Sequence, residues 1–161
     1  MSFASLFDDA RGALAGVPRE PLGELRTPRR VLGMPRATRI VRVGSAWHLG
    51  VLLLGDDVVY ATGQIVRARQ EAPRGYTAES QRARADLAAA ARRGGFAEGE
   101  ALHIGWRMLD LEAVAAGAAS GPLAQIEGIP SVRWSAAAAH VPLDAYLRER
   151  VALLRDPPQG A

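Results

Sequence analysis

Cysteine, lysine and asparagine are absent from the 161 residues. Without cysteine, the chain has no disulfide, no thiolate zinc site, no iron–sulfur cluster and no cysteine nucleophile. Because lysine is missing, all 20 basic residues are arginine. This excludes a Schiff base on a lysine side chain and a phosphate-binding loop that uses a lysine. A chain without cysteine is typical of a reducing compartment, so we expect a cytoplasmic protein.

Long apolar runs are also missing. No stretch approaches 18 apolar residues, which predicts no membrane-spanning helix, and we expect no membrane partner. Residues 1–4 lack a basic start before an apolar stretch, so we expect no secretory signal. The length predicts one domain over residues 1–161, and a 48% hydrophobic composition is enough for a core. Within it, residues 16–37 are expected to be an extended Pro/Arg-rich connector, and residues 156–161 a loose tail.

Apolar residues at helical spacing predict about four helices. The first covers residues 3–15. The second begins after Thr77 as its N-cap and ends before Gly94. The third covers residues 111–119, after Asp110 as its N-cap, and the fourth carries the stripe Leu143, Leu147, Val151 and Leu154.

Runs of β-branched and apolar residues predict strands at 38–43, 47–54, 58–62, 64–67, 101–108 and 131–135. A turn at 55–57 makes a hairpin of the second and third, and residues 126–130 are expected to be a loop. The predicted fold class is therefore α+β: a small, mainly antiparallel sheet of four to five strands with about four helices packed against it. The strand–helix–strand order over residues 64–106 leaves a parallel arrangement open.

Positive charge is concentrated in one stretch that contains no acidic residue between Arg26 and Asp56. An anionic ligand or a nucleic acid is the partner that such a stretch predicts, whereas an arginine-biased genome is the alternative explanation. Residues 26–42, which hold the arginines of this stretch, lack aromatic residues, so they have no side chain on which bases could stack. Its arginines are Arg26, Arg29, Arg30, Arg36, Arg39 and Arg42.

Two segments of the chain resemble each other, residues 44–51 and 99–106, and both follow Gly-x-Ala-x-His-aliphatic-Gly-apolar. In a strand, alternate residues share a face, so His48 and His103 would each stand beside alanine and glycine. The small neighbours leave space above the sheet that a ligand or a closely packed helix would fill. The predicted ligand-binding residues are His48, His103, Gly50, Gly105 and Trp106.

A zinc ion is the only cofactor that the sequence suggests. Three imidazoles, from His48, His103 and His140, would suit a catalytic zinc with an open fourth position. No two histidines have the spacing of a local metal motif, so their convergence depends on the fold. The alternative is three histidines that are hydrogen-bonded within the packed structure, with no cofactor.

Three functions remain open after these exclusions. The first is a non-catalytic ligand-binding or protein-interaction domain that uses the sheet face or the arginine-rich arm, with a homo-oligomer, such as a homodimer, as a possible partner arrangement. The second is a small enzyme of hydrolase or lyase type with a histidine-based site. The third is a nucleic-acid-associated protein that uses the arginine stretch. No nucleophile elbow and no dinucleotide-binding glycine pattern occurs, so the first is the leading hypothesis.

Overall fold

The computed structural model of the chain describes residues 1–71, 75 and 78–158. The chain divides into two compact units. The first unit combines residues 1–19, 46–62 and 107–161, and the second combines residues 20–45 and 63–106. Each unit has its own hydrophobic core. The single domain that the length predicts stays a prediction.

The four predicted helices are present: α1 (Phe3–Ala13), α2 (Glu79–Arg93), α3 (Leu111–Ala115) and α4 (Leu143–Arg155). Asp110 caps α3 as predicted, because its carboxylate accepts a hydrogen bond of 2.9 Å from the Ala113 amide. This helix is shorter than expected because Gly117 has φ +96° directly after it. The N-cap predicted at Thr77 and the end of the expected tail lie outside the described residues.

The α+β class is confirmed, but the sheet is larger than the four to five strands expected. The described residues form seven strands in the hydrogen-bonded order β5-β6-β1-β2-β3-β4-β7, and three more in the order β10-β9-β8. The larger sheet is mixed, because β1 and β6 are parallel whereas β5 and β6 are antiparallel. The strands are β1 (Glu20–Arg26), β2 (Arg39–Leu49), β3 (Leu52–Leu54), β4 (Val59–Ala61), β5 (Gln64–Arg67), β6 (Ala101–Ile104), β7 (Arg107–Met108), β8 (Leu123–Ile126), β9 (Ile129–Val132) and β10 (Val141–Pro142).

Two strands that the sequence predicts as continuous are each broken at a glycine. The predicted strand 47–54 is the end of β2 and all of β3, with a tight turn at Gly50. The predicted strand 101–108 is β6 and β7, with a break at Gly105. The two glycines have φ +66° and +67°, in the left-handed region that side chains disfavour. Apolar residues on both sides of each break conceal it in the sequence.

Two further strand regions lie where none was predicted. The expected connector 16–37 contains β1, which is fixed by close packing: a Cβ on Gly23 would lie 2.6 Å from the Ile40 side chain and 2.7 Å from that of Leu102. The expected loop 126–130 contains the turn between β8, which was not predicted, and β9, which overlaps the predicted strand 131–135 at residues 131 and 132. Its turn residues Glu127 and Gly128 both have positive φ, as a tight hairpin turn requires.

The core of the first unit lies among α1, α4 and strands β2 to β4. Phe7, Leu14 and Leu49 are fully buried there, and Leu143 packs from α4. No helix in the described part of the chain has the length and apolar character needed to span a membrane.

The core of the second unit is smaller and lies between α2 and strands β5 and β6. Phe96, Leu102 and Ile104 supply its large side chains, whereas α2 contributes Ala90 and Ala91. Alanines let the helix approach the strands closely. Leu102 and Ile104 of β6 pack towards α2. Because side chains alternate along a strand, His103 between them points to the opposite face.

Candidate functional site

His103 forms an acid–histidine pair with Glu20 in the second unit. The imidazole is fully buried, and its Nε2 is hydrogen-bonded to the Glu20 carboxylate. Strand pairing brings these residues together, since β6 lies beside β1, with His103 opposite Leu22 in one register and Ile65 in the other. A carboxylate on one ring nitrogen fixes the orientation of the ring, an arrangement common to metal-ligand and general-base histidines. The Glu20 side chain is 40% exposed, so solvent reaches the acid.

His48 lies in the first unit, one residue before the end of β2. Its Nε2 is 2.9 Å from the Gly50 carbonyl oxygen. Its neighbours Trp47 and Leu49 belong to the core of this unit, so the half-buried imidazole stands on the other face of the strand. His140 is half-buried in the same unit and directly precedes β10, outside any strand.

The sequence predicts a glycine beside each histidine on the same strand face, and this prediction is wrong for both glycines. Gly50 and Gly105 each lie one residue beyond the end of a strand, so neither shares the strand face with its histidine. Each glycine instead turns the chain. After Gly105, the Trp106 indole Nε1 donates a hydrogen bond of 3.1 Å to the Gly23 carbonyl oxygen of β1. The roles of these residues in ligand or zinc binding stay predictions.

Asp56 has a structural partner. Its carboxylate accepts a hydrogen bond of 2.7 Å from Arg19, whose guanidinium also stacks on Trp47 at 4.0 Å from the ring centre. The hydrogen bond from Arg19, and then its charge, lower the pKa of this carboxyl group. Asp56 lies in the turn predicted between β3 and β4, and its carboxylate is bound by an arginine of the same unit.

The arginine stretch lies in the second unit and forms the connection from β1 to β2, which we call the arginine loop (residues 27–38, with Arg26 and Arg39 at its ends). Two of the six arginines predicted to bind anions have acidic partners: Arg26, and Arg42, which lies in β2 beyond the loop. Arg26 lies 3.2 Å from Glu24, and Arg42 lies 2.5 Å from Glu100 while its guanidinium stacks on Phe96. No acid of the described chain forms an ion pair with the remaining four, which are Arg29, Arg30, Arg36 and Arg39.

The Arg42–Glu100 ion pair also changes the acid. The hydrogen bond from Arg42, and then the one from the Ala97 amide, lower the pKa of the Glu100 carboxyl group. Glu100 is therefore charged over a wider pH range than a free glutamate, and Arg42 is not available to an anionic ligand unless this pair opens.

The tip of the arginine loop is apolar. A bridge between Val31 and Met34 closes a tight turn, and Leu32 within it has φ +54°. The Leu32 residue is 98% exposed, Met34 72% and Val31 50%. Three large apolar side chains are therefore exposed together at the tip of the loop, one of them at a backbone conformation that side chains disfavour.

Charge is divided between the two units. The second unit holds 13 arginines and 7 acidic residues, a formal charge of +6. The first holds 7 arginines and 10 acidic residues, a formal charge of −3.

The arginine stretch is recognisable in the sequence, but Glu20 is not recognisable as a partner of His103. The two residues are 83 positions apart, and no local pattern connects them.

Comparison of the chain with protein-family models, with curated proteins and with solved structures finds no match.

Proposed function

We propose that this protein is a non-catalytic interaction domain that binds nucleic acid through the arginine loop. The observation that carries the proposal is the set of four exposed arginines without acidic partners, Arg29, Arg30, Arg36 and Arg39, on one loop of a unit with formal charge +6. Guanidinium groups bind phosphate oxygens with two hydrogen bonds, and they stay charged at any physiological pH.

Duplex nucleic acid fits the loop better than a single strand does. Single strands are bound by stacking their bases on aromatic side chains, and the loop has none. Apolar side chains such as Leu32 and Met34 are instead the type that inserts between base steps in the minor groove. The loop has no amide side chain that would read an adenine edge, so we expect binding that depends little on sequence.

The four arginines set the expected salt dependence. Each phosphate that is neutralised contributes about −0.9 to the slope of log affinity against log salt, so four contacts give a slope of about −3 to −4. Affinity should then fall by roughly two orders of magnitude between about 50 and 200 mM salt.

The test measures binding of a random-sequence duplex DNA by fluorescence anisotropy over that salt range. The variant R29E/R30E should lose most of the affinity and reduce the slope by about 2. The control variant R133E/R155E changes the net charge equally, at two exposed arginines of the first unit, and should keep affinity and slope nearly unchanged.

Two results would contradict this function. One is a flat salt response of the unmodified protein. The other is an equal loss in the two double variants, which would show that net charge alone, and not the loop, attracts DNA. Binding to anionic lipid vesicles without binding to DNA would assign the apolar tip to a membrane surface and would also overturn the proposal.

The second candidate function is a histidine-based enzyme of hydrolase or lyase type, and the observation that favours it is the Glu20–His103 pair. If zinc is the cofactor, as proposed for His48, His103 and His140, the purified protein should contain zinc, and zinc added to metal-free protein should raise its Tm. H103Q should abolish that rise. Protein that contains no metal, with a Tm that added zinc leaves unchanged, would remove the metal form of this candidate.

A further inference from the structure

A groove in the second unit runs between β5 and the first half of α2. Its volume is about 510 Å³. Its apolar lining comes from both elements and includes Val66, Ala85 and Leu87. At one end the Arg69 amide donates a hydrogen bond of 3.1 Å to the Ala88 carbonyl oxygen, which joins the strand segment to the helix. The groove is therefore a cleft between an extended segment and a helix.

The charged residues that line the groove in the described part of the chain are all positive. They are Arg67, Arg69 and Arg84. Arg67 donates a hydrogen bond of 3.2 Å to the Gly99 carbonyl oxygen, and Arg69 and Arg84 have no acidic partner in the described chain. The guanidinium groups of Arg69 and Arg84 beside an aliphatic lining fit a ligand that is both acidic and apolar.

The groove follows a free sheet edge. β5 is the last strand of the larger sheet, and within the described residues β6 is its one neighbour. On the other side, the backbone N–H and C=O groups of β5 have no strand to pair with. Ile65 in the middle of β5 is 53% exposed. An exposed edge beside a helix is where an extended peptide can add as a further strand.

We propose that this groove binds an extended acidic peptide segment of a partner protein, which adds as a strand to β5. The peptide backbone pairs with the free edge, its carboxylates meet Arg69 and Arg84, and its apolar side chains lie against Val66 and Leu87. Alternate residues of a strand point to opposite sides, so a sequence that alternates acidic and aliphatic residues satisfies the rim and the floor together.

A peptide fits this groove better than a nucleic acid. Among the described residues that line it none is aromatic, so they give bases no surface on which to stack. The free edge also offers alternating donors and acceptors, which match a peptide backbone and not a phosphate chain. This site is separate in residues from the arginine loop, so either proposal can fail without the other.

The probe is a fluorescein-labelled peptide of about eight residues that alternates glutamate and valine, the length of an ordinary strand. Its binding is measured by anisotropy. A second peptide has the same sequence with N-methyl groups on alternate amides, which keeps the charge and removes the donors that pair with an edge. The unmodified peptide should bind at least about tenfold more tightly than the methylated one.

Two matched pairs of variants locate the site on α2. R84E reverses a charge in the groove, whereas R82E does so at an exposed position that does not line it. A85W fills the groove, whereas A83W adds the same side chain at an exposed position outside it. We expect R84E and A85W to weaken peptide binding by about tenfold or more, and R82E and A83W to change it by less than about twofold. Circular dichroism confirms that each variant is folded.

Several results would overturn the inference. Equal losses in R84E and R82E would mean general charge attraction, and equal binding of the methylated peptide would exclude strand addition. Competition by a short single-stranded DNA for the same groove would identify a nucleic acid as the occupant. Self-association that R84E abolishes would identify a second copy of this chain. The R29E/R30E variant should bind the peptide normally, which separates failure here from failure of the proposed function.

Discussion

Tyr146 holds the turn between β2 and β3, and its hydroxyl group gives a sharp test of the fold of the first unit. The hydroxyl donates a hydrogen bond of 3.0 Å to the Leu49 carbonyl oxygen and accepts one of 2.9 Å from the Val51 amide. It thus satisfies one backbone group on each side of Gly50. The tyrosine is buried, so water cannot easily replace these bonds in a variant.

Tyr146→Phe keeps the ring and removes both hydrogen bonds. Each bond contributes about 1 kcal/mol, and the buried backbone groups left without a partner add part of their desolvation cost. We therefore expect the free energy of unfolding to fall by about 2–3 kcal/mol. For a chain of this length that corresponds to a decrease in Tm of roughly 4–12 °C.

Urea unfolding measures the loss of stability, and amide hydrogen exchange at Val51 measures whether the turn opens locally. The control is Arg150→Met, which removes the guanidinium that lies 5.3 Å from the Tyr146 ring centre and leaves the hydroxyl bonds in place. It should cost about 1 kcal/mol or less. A Tyr146→Phe variant with unchanged stability and an equally protected Val51 amide would refute the assigned role of the hydroxyl group.

Three further predictions concern individual positions. Because the pKa of Glu100 is lowered in the folded protein, its ion pair stabilises the fold above the ordinary glutamate pKa of 4.5. The stability difference between the unmodified protein and Glu100→Gln should therefore shrink as the pH falls below 4.5, in urea titrations at several pH values. Gly94→Ala should destabilise by about 3 kcal/mol or more, because its Cβ would collide with the Ile40 backbone carbonyl, whereas Gly95→Ala should cost only about 1–2 kcal/mol for its φ of +100°. Equal thermal melts for these two variants would contradict that difference. Glu127→Gly should stabilise by about 0.5 kcal/mol, because φ +50° suits glycine, and a lowered Tm would argue against strain at this turn.

The helices could be predicted from the sequence because each carries its own signals. The spacing of Leu143, Leu147 and Val151 marks the buried face of α4, and Asp110 marks the start of α3. These signals act within one or two turns of the chain, so they do not depend on the remainder of the fold. The number of helices and the α+β class follow from such local patterns.

The ends of the strands could not be predicted as well as the helices, because a glycine in an apolar run can either continue a strand or end it. Gly50 and Gly105 fit the alternation of a continuous strand, and only their positive φ shows that the strand ends there. When the residues on both sides are apolar, the sequence around a glycine does not indicate whether its φ is positive. The same ambiguity occurs in both halves of the internal repeat, so both predicted strands extend past the glycine at which the real strand ends.

The Glu20–His103 pair depends on the pairing of β1 with β6, and no local pattern predicts that pairing. β1 has Pro21 and Gly23 among its seven residues, which are poor strand formers, so its position is set by packing. A site built from such a strand can be recognised only when the sheet order is known. The histidine was therefore predictable as a candidate, but its carboxylate partner was not.

The distribution of arginine between the two units bears on the proposal that the arginine loop is a binding surface. A genome that favours arginine codons would explain why arginine replaces lysine, but it acts on all positions alike. The second unit has 13 arginines in 70 residues, whereas the first has 7 in 91. Each unit is built from separate segments of the chain. Since the units interleave along the chain, a uniform bias would spread arginine across both. The excess follows the folded unit, and this supports the proposed anion-binding surface.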